Sequence, residues 1–318
     1  MSGGAVTAFA PGSVGNVGPG LDILGLAVAG DGDEVRAEWL SEPGIRVLDP
    51  GHPDLPREPE RHTAGLAARA VLERAGGAAA RRRGIGLSVR KGLPLSGGQG
   101  GSAASAVAGA VAVNALLGEP LGRVQLIEAC LDAEEAVAGR HADNIAPSLL
   151  GGIVLIRAMD PLDVIPLPVP AELYVVLARP EQRMRTAEGR AVLPREVSRA
   201  VALHQAAQVA AMVAALALDD YELLGRAVDD RIAEPARAGL LPGFAEAKAA
   251  ALAAGALGSS ISGSGPTAFA LARGREAAER IAAAMAGAYR ARGAECRVRI
   301  GPVDRAGATV RREAGAPP

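Results

Sequence analysis

Aromatic residues are scarce in this 318-residue chain: three Phe, three Tyr and one Trp, 2% in all. That excludes recognition of single-stranded nucleic acid on rows of stacked rings, and it leaves Ala, Val, Leu and Ile to build the core. The only cysteines, Cys130 and Cys296, provide neither a disulfide framework nor a zinc cluster. The histidines (His52, His62, His141, His204) form no H-x-x-x-H pair, which argues against a zinc hydrolase. An excess of one charge is also lacking. Lys plus Arg is 34 and Asp plus Glu is 35, a formal net charge of -1, so the chain is not built to bind a polyanion along its length. No basic segment followed by an apolar run opens the chain, so no signal peptide is expected. The stretch 103–117, read as the most apolar, is too short to span a bilayer and contains Gly109 and Asn114. The default is a cytoplasmic protein with no membrane or nucleic-acid partner.

Glycine, by contrast, is abundant: 41 residues, with 22 prolines and no fibrous period. The chain is 49% hydrophobic and 22% charged, enough to bury an ordinary core. Its length suggests two domains. Alternation predicts strands over 5–10, 33–40 and 85–89, and the period of 61–75 predicts a helix. Arg81, Arg82 and Arg83 read as a solvated basic loop. Helices are expected over 102–117 and 124–138, the first buried on most sides because it is apolar all round. A strand is expected over 151–157. Four prolines between 160 and 170 read as a linker. Beyond it the pattern gives a strand at 173–178, then helices at 196–218, 220–232 and 242–254. A hairpin at 260–271, a helix at 275–292 and a strand at 295–300 follow. The fold class is α+β, with an N-terminal domain over 1–160, a C-terminal domain over 161–305 and a loose tail over 306–318.

The glycines cluster in loops. Residues 92–104 (GLPLSGGQGGSAA) lie between a strand and a helix. Their glycines let the backbone come close to a ligand, and the helix that follows presents unpaired N–H groups and partial positive charge. That suits a nucleotide phosphate. Ser102 can cap the helix or reach a metal ion on the phosphates. No lysine precedes Ser102, so this is not the usual P-loop. Three further loops carry polar residues among small ones: 11–22, with Asn16 and Asp22; 141–147, HADNIAP; and 260–267, with Gly263. Taken singly, each reads as well as an ordinary turn.

Together, in this order and context, the four loops resemble the motifs of the GHMP small-molecule kinases. Within that superfamily the chain is similar to the homoserine kinases, through NVGPGLD at 16–22, the 94–104 loop, HADNIAP with Leu150-Gly151-Gly152, Thr186 with Arg190, Asp230 with Arg237, and 262–267. The resemblance runs from about residue 6 to residue 300. It implies a ribosomal protein S5 domain 2-like N-terminal domain and a ferredoxin-like C-terminal domain. It also implies ATP and Mg2+ as cofactors, L-homoserine as the acceptor substrate, and a homodimer in many members. Carried over residue by residue, nucleotide contacts fall on Pro94, Ser96, Gly97, Gly98, Gln99, Gly100, Gly101, Ser102 and Ala103. Magnesium falls on Ser102 and Glu134, although the helical period alone favours Glu135. Substrate contacts fall on Asn16, Asp22, Asn144, Thr186, Arg190, Arg237 and Gly263. Catalytic roles fall on Asn144, Arg190 and Asp143, the last a candidate base in a family thought to work without a strong one.

The charge logic agrees with this assignment. Homoserine is a zwitterion, so its site needs cations for the carboxylate and acceptors for the ammonium. Two departures stand out: Gln99 and Gly101 replace the Leu and Ser of the usual GLGSSA loop, and Ala233 and Ala236 stand where bulkier residues are common. The competing readings are a GHMP kinase for another alcohol and a non-catalytic binding protein on the same fold.

Overall fold

The computed structural model describes residues 4–76, 83–137 and 139–313. Arg81 and Arg82 of the basic loop, residue 138 and residues 314–318 lie outside them.

Alternating small apolar residues form the first sheet. β1 (Val6–Gly15) pairs antiparallel with the long β2 (Leu24–Leu40). β2 also pairs with β4 (Gly84–Arg90), which runs parallel to β3 (Gly44–Asp49). At its other end β2 pairs with β5 (Ile153–Met159). One face of this sheet is covered by α1 (Thr63–Ala75), α2 (Gly101–Leu116), α3 (Arg123–Glu135) and α4 (Ile145–Leu150). α2 is buried on nearly every side, as its apolar circumference predicts. At Gly109 a Cβ would lie 2.9 Å from the Ala64 backbone, so α1 and α2 meet where neither carries bulk.

Three expectations are corrected here. The proline-rich 160–170 is not simply a linker: Leu162–Leu167 is β6, a strand pairing with β5. Pro166 is tolerated because β6 has only one neighbour in the sheet. The loose tail is also overturned in part, since Thr309–Arg312 is β11 and pairs with β1 as far as Thr309 opposite Phe9. The helix expected at 220–232 stops early, as α7 described below.

The second half has the order β-α-β-β-α-β, with strands β7 (Leu173–Pro180), β8 (Gly258–Ile261), β9 (Ala268–Arg273) and β10 (Cys296–Pro302). They form an antiparallel sheet in the order β10-β7-β9-β8, the ferredoxin-like arrangement. Between β7 and β8 lie α5 (Thr186–Ala191), α6 (Arg199–Leu218), α7 (Tyr221–Ala227), α8 (Ala233–Arg237) and α9 (Phe244–Ala253). α10 (Arg275–Ala291) precedes β10. α7 ends early because Asp230 serves the next helix instead: its carboxylate accepts from the N–H groups of Ile232, Ala233 and Glu234 at 2.8–3.1 Å.

α6, at a mean hydropathy of 1.7, is long and apolar enough by length and composition to cross a membrane, a property the sequence reading assigned to no segment. Its buried Gln205 is instead committed to the fold, donating to Pro19 O at 2.7 Å and Asp230 at 2.8 Å.

The halves share a core. Val14, Leu24, Leu26 and Val28 pack with Val175, Leu177, Phe269 and Leu271. Two polar ties add direction. Arg299 on β10 donates one nitrogen to the carbonyls of Val28, Ala29 and Asp31, where β2 bulges opposite Pro11 and Gly12. Arg305 donates to Val169 O at 2.8 Å and Pro170 O at 3.4 Å, joining the two segments where the chain passes between sheets.

Candidate functional site

A cavity of about 840 Å³ lies between the two halves, and residues of all four glycine loops meet at it. The 92–104 loop forms one wall. Pro94, Ser96, Gly97, Gly98, Gly100, Gly101 and Ser102 line it. Gly98 and Gly100 have φ of 70° and 67°, and a Cβ on either would collide, with Gly265 O at 2.7 Å or Ser13 Oγ at 2.1 Å. Glycine is therefore required at both for conformation and for space. Gly100 is the N-cap residue just before α2, and it brings no side-chain cap, so the first N–H groups of a nearly apolar helix are left for a ligand. Ser102 does not cap the helix; it is exposed at the cavity.

Two expected nucleotide contacts do not line the cavity. Ala103 is buried in the helix interface. Gln99 is buried with its amide turned to Thr267 Oγ1 at 3.3 Å. Its amide therefore joins a seam between the loops: Thr267 donates to Gly97 O at 2.5 Å and Ser262 to Gly98 O at 2.6 Å.

Glu134, near the end of α3, faces the cavity, while Glu135 is exposed and paired with Arg140 at 3.2 Å. Burial pushes the Glu134 carboxyl up to about 7, against the opposing pull of the Ser102 hydroxyl and the Lys91 charge. Its Oε1 is buried without a hydrogen-bond partner. A buried acceptor beside a hydroxyl, at a helix N-terminus, fits one edge of a magnesium ion whose other ligands are phosphate oxygens and water. Among the described residues no cluster of three His, Cys, Asp or Glu stands ready for a metal, so the protein alone does not complete such a site.

The opposite wall holds the polar residues of the other loops. Asp143 is buried, and burial together with the Asp22 charge raises its carboxyl to about 7. The Asn16 N–H donates to its Oδ2 at 3.1 Å. Asn144 accepts from Ser13 Oγ at 3.0 Å. This meeting depends on Gly25, where a Cβ would lie 1.7 Å from Asp143 O. Asn16, Val17 and Asp22 have positive φ, of 70°, 43° and 62°, and Asn16 holds the loop by bonding Gly263 O and the Asp22 N–H at 3.1 Å each. Such conformations are least costly for Asn and Asp and their strain is characteristic of ligand-binding loops.

Arg190 forms a two-point bond with Asp22. Arg237 is buried, donating Nε to Gly189 O and Nη1 to Gly263 O, both at 2.9 Å. Thr186 lines the rim of the cavity. His141 lies 3.7 Å from Asp22, and burial keeps it below its ordinary pKa.

Sequence reasoning missed several lining residues, among them His62, Arg183, His141 and Lys91. His62 caps α1, accepting from Ala64 N at 3.2 Å. Arg183 reaches Asp54 across the mouth at 3.2 Å. His141 was read only as part of its loop. Lys91 enters the wall behind Gly101. No local signal marks Arg183 or Lys91, because each acquires its role from a distant partner, Asp54 or Asp33.

The chain is similar to known proteins over most of its length. The GHMP kinases N-terminal domain model matches residues 62–152, and the GHMP kinases C-terminal model matches residues 212–291. The chain is 43% identical to a homoserine kinase of Chlorobium phaeobacteroides (strain BS1), covering 89% of this chain and 92% of that protein. It is also 43% identical to a homoserine kinase of Arabidopsis thaliana, covering 90% and 78%. The crystal structure of homoserine kinase from Cytophaga hutchinsonii ATCC 33406 superposes with a TM-score of 0.92 at 41% identity, over 96% of this chain and 97% of that one. A galactokinase of Lactococcus lactis, at 14% identity and a TM-score of 0.72 over 96% and 95%, shares the fold.

Proposed function

The chain belongs to the homoserine kinase family of the GHMP kinases, and from that premise we propose that it transfers the γ-phosphoryl group of ATP to the side-chain hydroxyl of L-homoserine. The products are O-phospho-L-homoserine and ADP, and the step serves threonine biosynthesis in the cytoplasm. The observation that carries this reading is the convergence of the 92–104 loop with Arg190, Arg237 and Asn144 around one cavity, with Asp22 bonded to Arg190. It offers an anion cradle on one side and a zwitterion's counter-charges on the other.

Glu134 and Ser102 are the residues that would hold a magnesium ion, which would supply charge neutralisation for the transferring phosphoryl group. The protein's own residues do the rest. The α2 N-terminus and the glycine backbone hold the phosphates. Arg190 and Arg237 take the homoserine carboxylate, Asp22 takes the ammonium, and Asn16, Thr186 and Gly263 shape the pocket around them. Asn144 orients the hydroxyl. Asp143, with its pKa near neutrality, is matched to accept the hydroxyl proton, as a base of moderate strength should be. Positioning and charge compensation supply most of the acceleration.

A coupled ADP-release assay with L-homoserine tests the reading. Saturable, magnesium-dependent release is expected, with no comparable release from alcohols that lack an ammonium group. Equal activity on such alcohols would assign the fold a different acceptor.

A further inference from the structure

The 92–104 loop has a buried ion pair behind it that none of its motif residues explains. Asp33 lies on β2 and Lys91 just past the end of β4, 58 residues apart, with side-chain exposures of 0% and 7%. Asp33 Oδ1 accepts from the N–H groups of Gly92 and Leu93, at 3.1 and 3.2 Å, where the loop begins. Its Oδ2 accepts from Ser105 Oγ at 2.7 Å and from the Lys91 ammonium. Lys91 also donates to Gly101 O and Ser105 Oγ, each at 2.9 Å, where the loop has become helix.

We infer that the Asp33–Lys91 pair clips the entrance of the phosphate loop to its exit and so sets the affinity for nucleotide. Both are positioning residues. All three ammonium hydrogens of Lys91 have partners within the protein, so it is not a phosphate ligand, although it stands near where a P-loop lysine would be sought. Stability does not account for the pair. Removing two charges from water is costly, and an apolar pair of similar volume often holds a fold as well or better. An apolar pair cannot, however, bond three main-chain groups on opposite ends of one loop. The spacing between those ends decides whether the N–H groups of 97–102 converge on one phosphate. Misplacement by about 1 Å costs on the order of a hundredfold where geometry carries the binding.

The inference rests on the nucleotide reading of this loop, and its test separates the two. The double variant Asp33→Asn/Lys91→Met removes both charges together, so no charge is left buried alone, yet it leaves Gly101 unheld. Ser105→Ala is a milder cut that keeps the ion pair. Melting temperature, KM for ATP, KM for homoserine and the calorimetric Kd for ADP are measured on each. The double variant is expected to melt near the wild type, while KM for ATP and Kd for ADP rise about tenfold or more and KM for homoserine stays within about twofold. Ser105→Ala should move the nucleotide constants in the same direction by a smaller factor. Wild-type nucleotide constants in either variant, or a homoserine KM that rises as far as that for ATP, would overturn the inference. A wild-type protein that binds ADP but releases none with homoserine would sink the proposed acceptor and leave the clip standing.

Discussion

Arg190 grips Asp22 at two points, Nη2 to Oδ1 at 2.6 Å and Nη1 to Oδ2 at 3.3 Å, across 168 residues of sequence. The fork we propose for a substrate carboxylate and the acceptor we propose for a substrate ammonium thus neutralise each other. A zwitterion can take over both bonds without leaving either charge unpaired. Asp22→Asn should raise KM for homoserine by about tenfold or more while KM for ATP changes little, since part-buried charge pairs at binding sites carry such couplings. Steady-state kinetics with each substrate varied in turn checks this, and an equal rise in both constants would count against it.

Glu134 and Glu135 are neighbours with different surroundings, one buried with an unpartnered oxygen and one exposed beside Arg140. Glu134→Gln should lower turnover by about a hundredfold and raise the magnesium concentration needed for half-activation. Glu135→Gln should leave both within about twofold. Magnesium titrations of the two variants decide between them, and the reverse ranking would remove Glu134 from the metal site.

Asp143 and Glu134 both sit at about 7, above their ordinary values. The folded protein therefore binds more protons than the unfolded chain between pH 4 and pH 7. Stability from these groups is greatest below that window and is lost as pH rises through it. For Asp143 the loss is on the order of 4 kcal/mol, at about 1.4 kcal/mol per pKa unit. Melting curves of ligand-free protein at pH 5 and pH 8 should show Asp143→Asn gaining on the wild type at the higher pH. If Asp143 also accepts the substrate proton, turnover rises with pH through about 7 and the Asn variant loses that dependence. Turnover near wild type in the variant would show that Asp143 is no base.

Gln99 is one of two loop residues that depart from the family pattern. Its amide makes a single long bond to Thr267, which keeps its own bond to Gly97 O. Gln99→Leu should cost about 1 kcal/mol or less in stability and leave KM for ATP within about threefold. Thermal melts and ATP saturation curves give both numbers, and a much larger loss of ATP affinity would put Gln99 back among the nucleotide contacts.

Much of the site could be read from the sequence because its chemistry is local. Gly98, Gly100, Asn16 and Asp22 adopt left-handed backbone, and residues that tolerate it announce themselves. What escaped was relational. Asp33 and Lys91 look like ordinary polar residues of two strands until the sheet places them together. β6 was hidden by Pro166 and the prolines on either side of it, and β11 by charged residues, both features that edge strands accommodate and that sequence rules assign to loops. Helix 220–232 was extended too far because Asp230 looks helical in composition, whereas it caps the helix after it.

β11 gives the chain path a mechanical meaning. The polypeptide leaves the first sheet after β6, builds the whole second sheet, and returns to lie against β1. The C-terminal domain is thus an insertion within the N-terminal one, tethered by two covalent connections rather than one. Arg305 holds these connections side by side. A single linker would leave the shared core alone to fix how the domains meet, whereas a bound pair of linkers adds a second point of attachment beside it. The spacing of Arg190 from the 92–104 loop across the cavity is thereby fixed by the chain path as well as by packing.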